Sequence, residues 1–160
     1  MIKVTIICVG RLKDRFFEDA SAEYLKRLGA YAKTDIIEIK AENLPDEPNE
    51  SQIKNALKTE GEAIIKKIPS GAEVIPLCIE GKGLSSEELA SVFSTGASSG
   101  TSHFVFIIGG SYGLSDEVKS LGKLKLSMSR MTFPHRLARI MLLEQIYRAC
   151  KINAGEKYHK

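Results

Sequence analysis

Two loops near the C-terminal end of the chain carry the residue types best suited to holding a ligand. The apolar run at residues 104–108 is typical of a strand buried on both faces, and it leads into the glycine-rich segment 109–113. A second short strand at residues 123–127 leads into a loop, after which Pro134 sets the first turn of a helix. Ligands of open α/β sheets bind outside the carboxyl ends of strands, so the two loops predict one pocket.

The glycine loop favours one kind of ligand chemistry over another. Residues 109–113 read Gly-Gly-Ser-Tyr-Gly, which is not the G-x-G-x-x-G pattern, and no Lys-Ser or Lys-Thr pair follows as in a P-loop. A phosphate cradle is therefore disfavoured. Glycines allow the backbone to approach a ligand closely, so a ligand recognised through hydrogen bonds to amides and carbonyls is the better match. A plain tight turn is the alternative.

The elements that position these loops alternate between strand and helix. This alternation predicts an α/β fold in a single domain of residues 1–160, with a mostly parallel sheet and helices on both faces. Pro76 predicts a bulge or an edge in the third strand, and residues 95–100 predict a turn. The predicted strands cover residues 2–9, 34–39, 74–79, 104–108 and 123–127, and the predicted helices 14–28, 51–68, 85–93, 115–118 and 137–152.

Charge, cysteine spacing and the length of apolar runs limit the class of protein to which this chain can belong. The net charge of +3 is too small to indicate nucleic-acid binding, and the acidic stretch 42–50 is typical of an exposed linker. Three cysteines without Cys-x-x-Cys spacing argue against a disulfide framework or a zinc site, and we expect Cys8 and Cys78 to be small buried side chains. No apolar run approaches the ~20 residues that span a bilayer, and no leader pattern is visible, so we expect a cytoplasmic protein.

The last predicted helix is apolar around most of its circumference. Apolar side chains between residues 137 and 150 cover far more than one stripe. A helix of this kind needs two buried faces. In so short a chain, one face can pack on the sheet and the other on a second subunit, which predicts a homodimer.

Six short motifs, taken in order, resemble one family. They are similar to the SPOUT-class methyltransferases that modify N3 of a pseudouridine in large-subunit ribosomal RNA. Each motif alone is weak, but together they span nearly the whole chain. They are Val9-Gly-Arg-Leu-Lys13, Leu77-Cys-Ile-Glu-Gly-Lys82, Ile108-Gly-Gly-Ser-Tyr-Gly-Leu114, Leu126-Ser-Met-Ser-Arg-Met-Thr-Phe-Pro-His135, Glu144-Gln-Ile-Tyr-Arg-Ala149 and Tyr158-His-Lys160.

The resemblance implies a fold, a cofactor and a substrate. It implies a C-terminal trefoil knot, S-adenosylmethionine as cofactor without a metal, and a homodimer that acts on the ribosome. Three positions, Arg148, Tyr158 and His159, match family positions that act in catalysis or RNA binding. The implied cofactor-binding residues are Leu77, Gly109, Met128, Ser129, Arg130, Met131, Thr132 and Phe133.

Several alternatives remain open at this level. Arg148 is also spaced to form a helical ion pair with Glu144, and the polar tail after Gly155 is of a kind that is often disordered. His135, at a helix start, is a structural or pocket-edge residue rather than a catalytic base. We expect His103, which opens a strand next to Ser and Thr, to be a surface residue. A ribosome-binding module without turnover and a flavodoxin-like nucleotide-binding protein are the rival functions.

Overall fold

The computed structural model describes residues 1–158, which form one parallel sheet flanked by helices. In chain order the elements are β1 (Ile2–Val9), α1 (Arg15–Leu28), β2 (Ala32–Ile39), α2 (Glu50–Ile65), β3 (Glu73–Gly83), α3 (Ser86–Ser98), β4 (His103–Ile108), α4 (Asp116–Ser120), β5 (Leu126–Ser127) and α5 (His135–Asn153). The strands lie in the order β2-β1-β4-β3-β5, and every neighbouring pair is parallel. The predicted α/β fold is confirmed, while the knot stays a prediction.

The central strands are buried on both faces, as their apolar runs predicted. In β4, Phe104 and Phe106 pack into a core cluster with residues of α1, α3 and α5. The alternate residues Val105 and Ile107 pack into a second cluster with α2 and α4. Successive side chains of a strand point to opposite faces, so an unbroken apolar run supplies both clusters at once.

Helix α3 is longer than predicted. It begins at Ser86, after a capping box in which Ser85 and Glu88 satisfy each other's backbone amides, and it continues to Ser98 through the residues expected to form a turn. Serine hydroxyls along this stretch bond back to carbonyls three or four residues earlier. Gly96 is required because a Cβ there would lie 2.6 Å from Cζ of Phe104. Packing against the sheet therefore overrides a turn-like composition.

Strand β3 changes partner midway. It pairs with β4 as far as Pro76 and then with β5, and both Leu77 and Lys82 are in register with Leu126. The structure has an irregularity directly after Pro76, between Leu77 and Lys82, while Pro76 itself is in register with Ile107. The alternative of an edge strand is wrong, because β3 lies between β4 and β5 in the sheet order. The pairing with β4 ends near the end of β4 itself, since Pro76 pairs with Ile107 and β4 stops at Ile108. Residues 78–81 then arch out between the two residues that are in register with Leu126.

Three smaller predictions need correction. Strand β5 has two residues instead of five, because the chain at residues 123–125 turns before it pairs. Pro134 is the N-cap of α5, whose first helical residue is His135. His103, expected on the surface, is half-buried, and its Nε2 lies 2.8 Å from Oγ1 of Thr5.

The cysteines are structural. Cys8 and Cys150 are buried, and burial raises the pKa of each thiol to about 11. Cys78, expected in the interior, is only half-buried in the arch of β3, although burial still raises the pKa of its thiol. No helix within residues 1–158 is long and apolar enough to cross a membrane.

The start of α5 is fixed to the sheet by a buried guanidinium. Arg139 is 1% exposed, and it donates to Oε1 of Glu38 at 2.7 Å and to the carbonyl of Gly10 at 3.1 Å. Gly10 has a φ of +98°, and a Cβ there would lie 3.0 Å from the ring of His135. Helix α5 therefore meets the ends of β1 and β2 through an ion pair and a close backbone contact.

We predict that Arg139→Ala lowers the free energy of unfolding by about 3 kcal/mol, because Glu38 and the Gly10 carbonyl lose a buried partner. The control is Arg15→Ala, since Arg15 pairs with Asp19 across 3.9 Å with 93% of its side chain exposed. That change should cost less than about 0.5 kcal/mol. Urea denaturation measures both, and equal losses would contradict the role given to Arg139.

Candidate functional site

A cavity of about 850 Å³ lies at the carboxyl ends of β3, β4 and β5. Its walls come from the arch of β3, the glycine loop after β4, and the loop between β5 and α5. Seven of the eight residues predicted to hold a cofactor line it, whereas Arg130, which is exposed, does not. The seven are Leu77, Gly109, Met128, Ser129, Met131, Thr132 and Phe133.

The glycine loop presents backbone to the cavity. A Cβ on Gly109 would lie 2.5 Å from the carbonyl oxygen of Gly113, so residue 109 must be glycine for the loop to close. The Gly113 amide donates to the Gly110 carbonyl at 3.1 Å, and Gly113 has a φ of +79°. The loop is therefore a tight turn as well as a cavity wall, and the two interpretations of the sequence are compatible.

The opposite wall is a short loop stabilised by its own serines. The Ser127 hydroxyl donates to the Ser129 carbonyl at 3.1 Å, and the Ser129 hydroxyl accepts from the Met131 amide at 3.0 Å. Met131 is 74% exposed at the rim, and Met128 is half-buried. Both methionines line the cavity and give it adaptable apolar contacts, and Met128 also packs against the core cluster.

An ion pair that sequence reasoning missed lies at the rim. Glu80, in the arch of β3, pairs with Lys119 of α4, and both line the cavity. The hydrogen bond from Lys119 lowers the pKa of Glu80, and the same bond raises the pKa of Lys119. Glu80 stands inside a motif that the sequence analysis quoted, but nothing there pointed to Lys119, which is brought close only by the packing of α4.

His135 lies at the edge of this cavity, as predicted. Burial lowers the pKa of its imidazole, and the charges of Arg136 and Arg139 lower it further. Its Nδ1 is buried and has no hydrogen-bond partner within residues 1–158. The neutral form of the imidazole is therefore favoured at the cavity wall.

Two of the three predicted catalytic residues lie together, but away from this cavity. Arg148 donates to Oε1 of Glu144 at 2.6 Å, so the predicted ion pair is present, and its guanidinium lies 4.7 Å from the ring centre of Tyr158. Neither Arg148 nor Tyr158 lines the cavity. A smaller hollow of about 400 Å³, lined by Glu144, shares only Leu126 and Met128 with it. The third residue, His159, lies outside the described residues.

The tail is anchored as far as Tyr158. The Tyr31 hydroxyl donates to Glu156 at 2.9 Å, and Lys151 forms an ion pair with the same carboxylate. The ring of Tyr158 packs edge-on against Tyr147 with 5.0 Å between ring centres. The disorder typical of such a tail is therefore absent up to this point, and Tyr158 has a defined position beside Arg148.

Within residues 1–158, no group of three or more His, Cys, Asp or Glu side chains is arranged to hold a metal ion. The cavity is instead lined by backbone, apolar and hydroxyl groups with one ion pair at the rim. Groups of this kind recognise an organic ligand through hydrogen bonds and apolar contact.

Comparison with known proteins agrees with this architecture. A family model described as "Predicted SPOUT methyltransferase" matches residues 2–159. Proteins named "Ribosomal RNA large subunit methyltransferase H" are similar over 99% of this chain and 100% of their own length. The identity is 50% for that of Bacillus pumilus, 49% for Bifidobacterium adolescentis and 48% for Carboxydothermus hydrogenoformans. With a family match over almost its whole length and relatives at this level of identity, the chain belongs to the SPOUT methyltransferase family.

Proposed function

We propose that this protein is an S-adenosylmethionine-dependent methyltransferase that methylates N3 of a pseudouridine in large-subunit (23S) ribosomal RNA on the assembled ribosome. The observation that carries the proposal is the cavity at the ends of β3, β4 and β5, where seven residues of the implied cofactor site meet. Full-length relatives named as methyltransferases of large-subunit ribosomal RNA support the substrate class. A ribosomal substrate implies a cytoplasmic enzyme.

The cavity fits the proposed cofactor in size and chemistry. Its volume of about 850 Å³ lies within the range of small-molecule sites, roughly 300–1,000 Å³. The amides and carbonyls of residues 109–113 suit the hydrogen-bonding edges of adenine and ribose, while Leu77 and Met128 supply apolar contact. When bound, S-adenosylmethionine supplies a methyl group activated by a sulfonium, so the protein needs no metal.

The protein must orient the acceptor base and handle one proton. As the bond from N3 to the methyl carbon forms and the carbon–sulfur bond breaks, the N3 proton has to leave. Hydrogen bonding to Glu144 raises the pKa of Arg148, so this residue remains a cation and suits stabilisation of a deprotonated pyrimidine ring. Burial raises the pKa of Tyr158, which keeps its hydroxyl protonated as a donor. His159 is then the candidate proton acceptor among the three.

A homodimer explains why Arg148 and Tyr158 lie away from the cavity of their own chain. In α5, Leu142 and Ile146 are buried against the sheet, whereas Leu137 is 37% exposed and Met141 is half-buried on the remaining surface. This second apolar face suits a second copy of the chain. We propose that the Arg148 and Tyr158 of one protomer complete the site of its partner.

The catalytic proposal predicts a specific change in ribosomal RNA. Large-subunit RNA from a strain that lacks this gene should lose one N3-methylated pseudouridine in nucleoside mass spectrometry. Purified protein with S-adenosylmethionine should restore that nucleoside on ribosomes from the same strain. A protein that binds these ribosomes without transferring a methyl group would instead be a non-catalytic module, and unchanged RNA would contradict the proposal.

The shared site predicts complementation between two inactive variants. Gly109→Ala should disrupt the cofactor loop, and Arg148→Ala should remove the cation supplied to the partner, so each homodimer should be inactive. A mixed dimer, isolated with two different affinity tags, has one site with both residues intact and should recover about half of the wild-type methylation rate.

The same experiment has two outcomes that contradict the shared site. If Arg148 acts within its own chain, both sites of the mixed dimer are defective and it stays inactive. If the two tagged chains do not copurify, there is no dimer. Arg27→Ala is the matched control for Arg148→Ala, because Arg27 also pairs with a glutamate four residues earlier, Glu23, and lies over a tyrosine ring, that of Tyr24. We expect Arg27→Ala to keep the wild-type rate.

A further inference from the structure

The cavity proposed for the cofactor, at the carboxyl ends of β3, β4 and β5, has one pair of opposite charges at its rim. Among its lining residues within 1–158, Glu80 is the only carboxylate and Lys119 the only ammonium, and the two contact each other. The other lining residues are uncharged apart from His135, and burial lowers the pKa of that imidazole, which favours its neutral form. A charged part of a ligand in this cavity therefore has Glu80 and Lys119 as its ionic partners.

The stability of the fold does not account for this ion pair. The Glu80 side chain is 59% exposed, and that of Lys119 is 23% exposed. Ion pairs with this much access to water add little to the free energy of unfolding, because water screens the attraction between the charges. Their position at the mouth of a cavity points to a ligand instead.

Helix α4 holds Lys119 in a fixed position, although the helix has only five residues. The preceding residue, Val118, is fully buried in the core cluster that α4 shares with α2. Ser115 caps the helix by accepting the Val118 amide at 3.3 Å, and its carbonyl accepts the Lys119 amide at 3.0 Å. A ligand thus meets a lysine whose backbone is already ordered, which lowers the entropy cost of binding.

Both members of the ion pair have capacity for further hydrogen bonds. An ammonium has three N–H donors, and the bond from Lys119 to Glu80 uses one of them. The two oxygens of a carboxylate together accept about four hydrogen bonds. The pair can therefore stay in contact while Lys119 binds an anionic group of a ligand and Glu80 binds a cationic one.

The proposed cofactor carries the complementary charges at one end. The methionine-derived tail of S-adenosylmethionine has an α-carboxylate and an α-ammonium on the same carbon. Adenine and ribose are neutral and suit the glycine loop and the apolar wall, so the tail is the part that needs ionic partners. Without such partners, its charges would lose hydration on entering the cavity and nothing would replace it.

We propose that Lys119 binds the α-carboxylate of S-adenosylmethionine and that Glu80 binds its α-ammonium. The inference rests on the proposed function and adds two cofactor-binding residues to it. Two methylene groups join the α-carbon to the sulfonium, so a tail held at the rim also restricts the orientation of the methyl group. The ion pair would further select S-adenosylmethionine over adenosyl compounds that lack the amino-acid tail.

The test for Lys119 compares S-adenosylmethionine with its decarboxylated form, which differs only in the carboxylate, by calorimetric titration of the full-length protein. Lys119→Met keeps an unbranched side chain but removes the charge. We expect it to weaken S-adenosylmethionine binding roughly tenfold, as for the loss of one charge-assisted hydrogen bond. The affinity for the decarboxylated compound should be unchanged or slightly higher, and urea denaturation should show nearly wild-type stability.

The test for Glu80 uses ligands without a sulfonium charge, so that only the ammonium is probed. Glu80→Gln should weaken the binding of S-adenosylhomocysteine, which keeps the ammonium, by at least about threefold. The same change should leave the affinity for 5′-methylthioadenosine unaltered, because this compound lacks the whole tail. An equal loss of affinity for both compounds would contradict the role given to Glu80.

Lys125→Met is the matched control for Lys119→Met. The charge of Lys125, like the stronger hydrogen bond from Lys119, lowers the pKa of Glu80, but Lys125 is exposed and does not line the cavity. This variant should bind both ligands as the wild type does. A folded Lys119→Met protein that loses no affinity, or loses it equally for S-adenosylmethionine and the decarboxylated compound, would overturn the inference and leave the proposed function intact. Wild-type protein that does not bind S-adenosylmethionine would overturn the proposed function, and the inference with it.

Discussion

The buried guanidinium of Arg139 is the contact that holds the start of α5, and with it one wall of the larger cavity, against the sheet. It joins α5 to Glu38 at the end of β2 and to the Gly10 carbonyl at the end of β1, which fixes the first turn of the helix against the sheet. The loop that leads into this turn is one wall of the larger cavity, and His135 in the turn lines it as well. Because Arg139 is almost fully enclosed, a shift of the helix start would leave a charge buried without partners.

A second constraint is the arch that β3 forms directly after Pro76. The pairing of β3 with β4 ends there, and the strand arches outward before it pairs with β5. This arch carries Leu77 and Glu80 into the cavity wall, opposite the glycine loop.

Periodicity and motifs predicted much of this arrangement. Apolar runs located the buried strands, and the loops at residues 109–113 and 128–133 were expected to form one pocket. The length of α3 was not predictable, since its serines and glycine look like a turn until Gly96 is seen to accommodate Phe104. Lys119 was missed because only the packing of α4 brings it close to Glu80. The separation of Arg148 from the cavity follows from tertiary packing. The spacing of residues along the sequence does not predict such distances in the folded chain.

The account depends most on the claim that the cavity between the three strand ends binds S-adenosylmethionine. Calorimetric titration of Gly109→Ala against Gly83→Ala tests it directly, because a Cβ at Gly109 meets the Gly113 carbonyl, whereas one at Gly83 meets nothing within 4 Å. The account predicts wild-type affinity for Gly83→Ala and at least about tenfold weaker binding for Gly109→Ala, or ~1.4 kcal/mol. Wild-type affinity in a folded Gly109→Ala protein would contradict it.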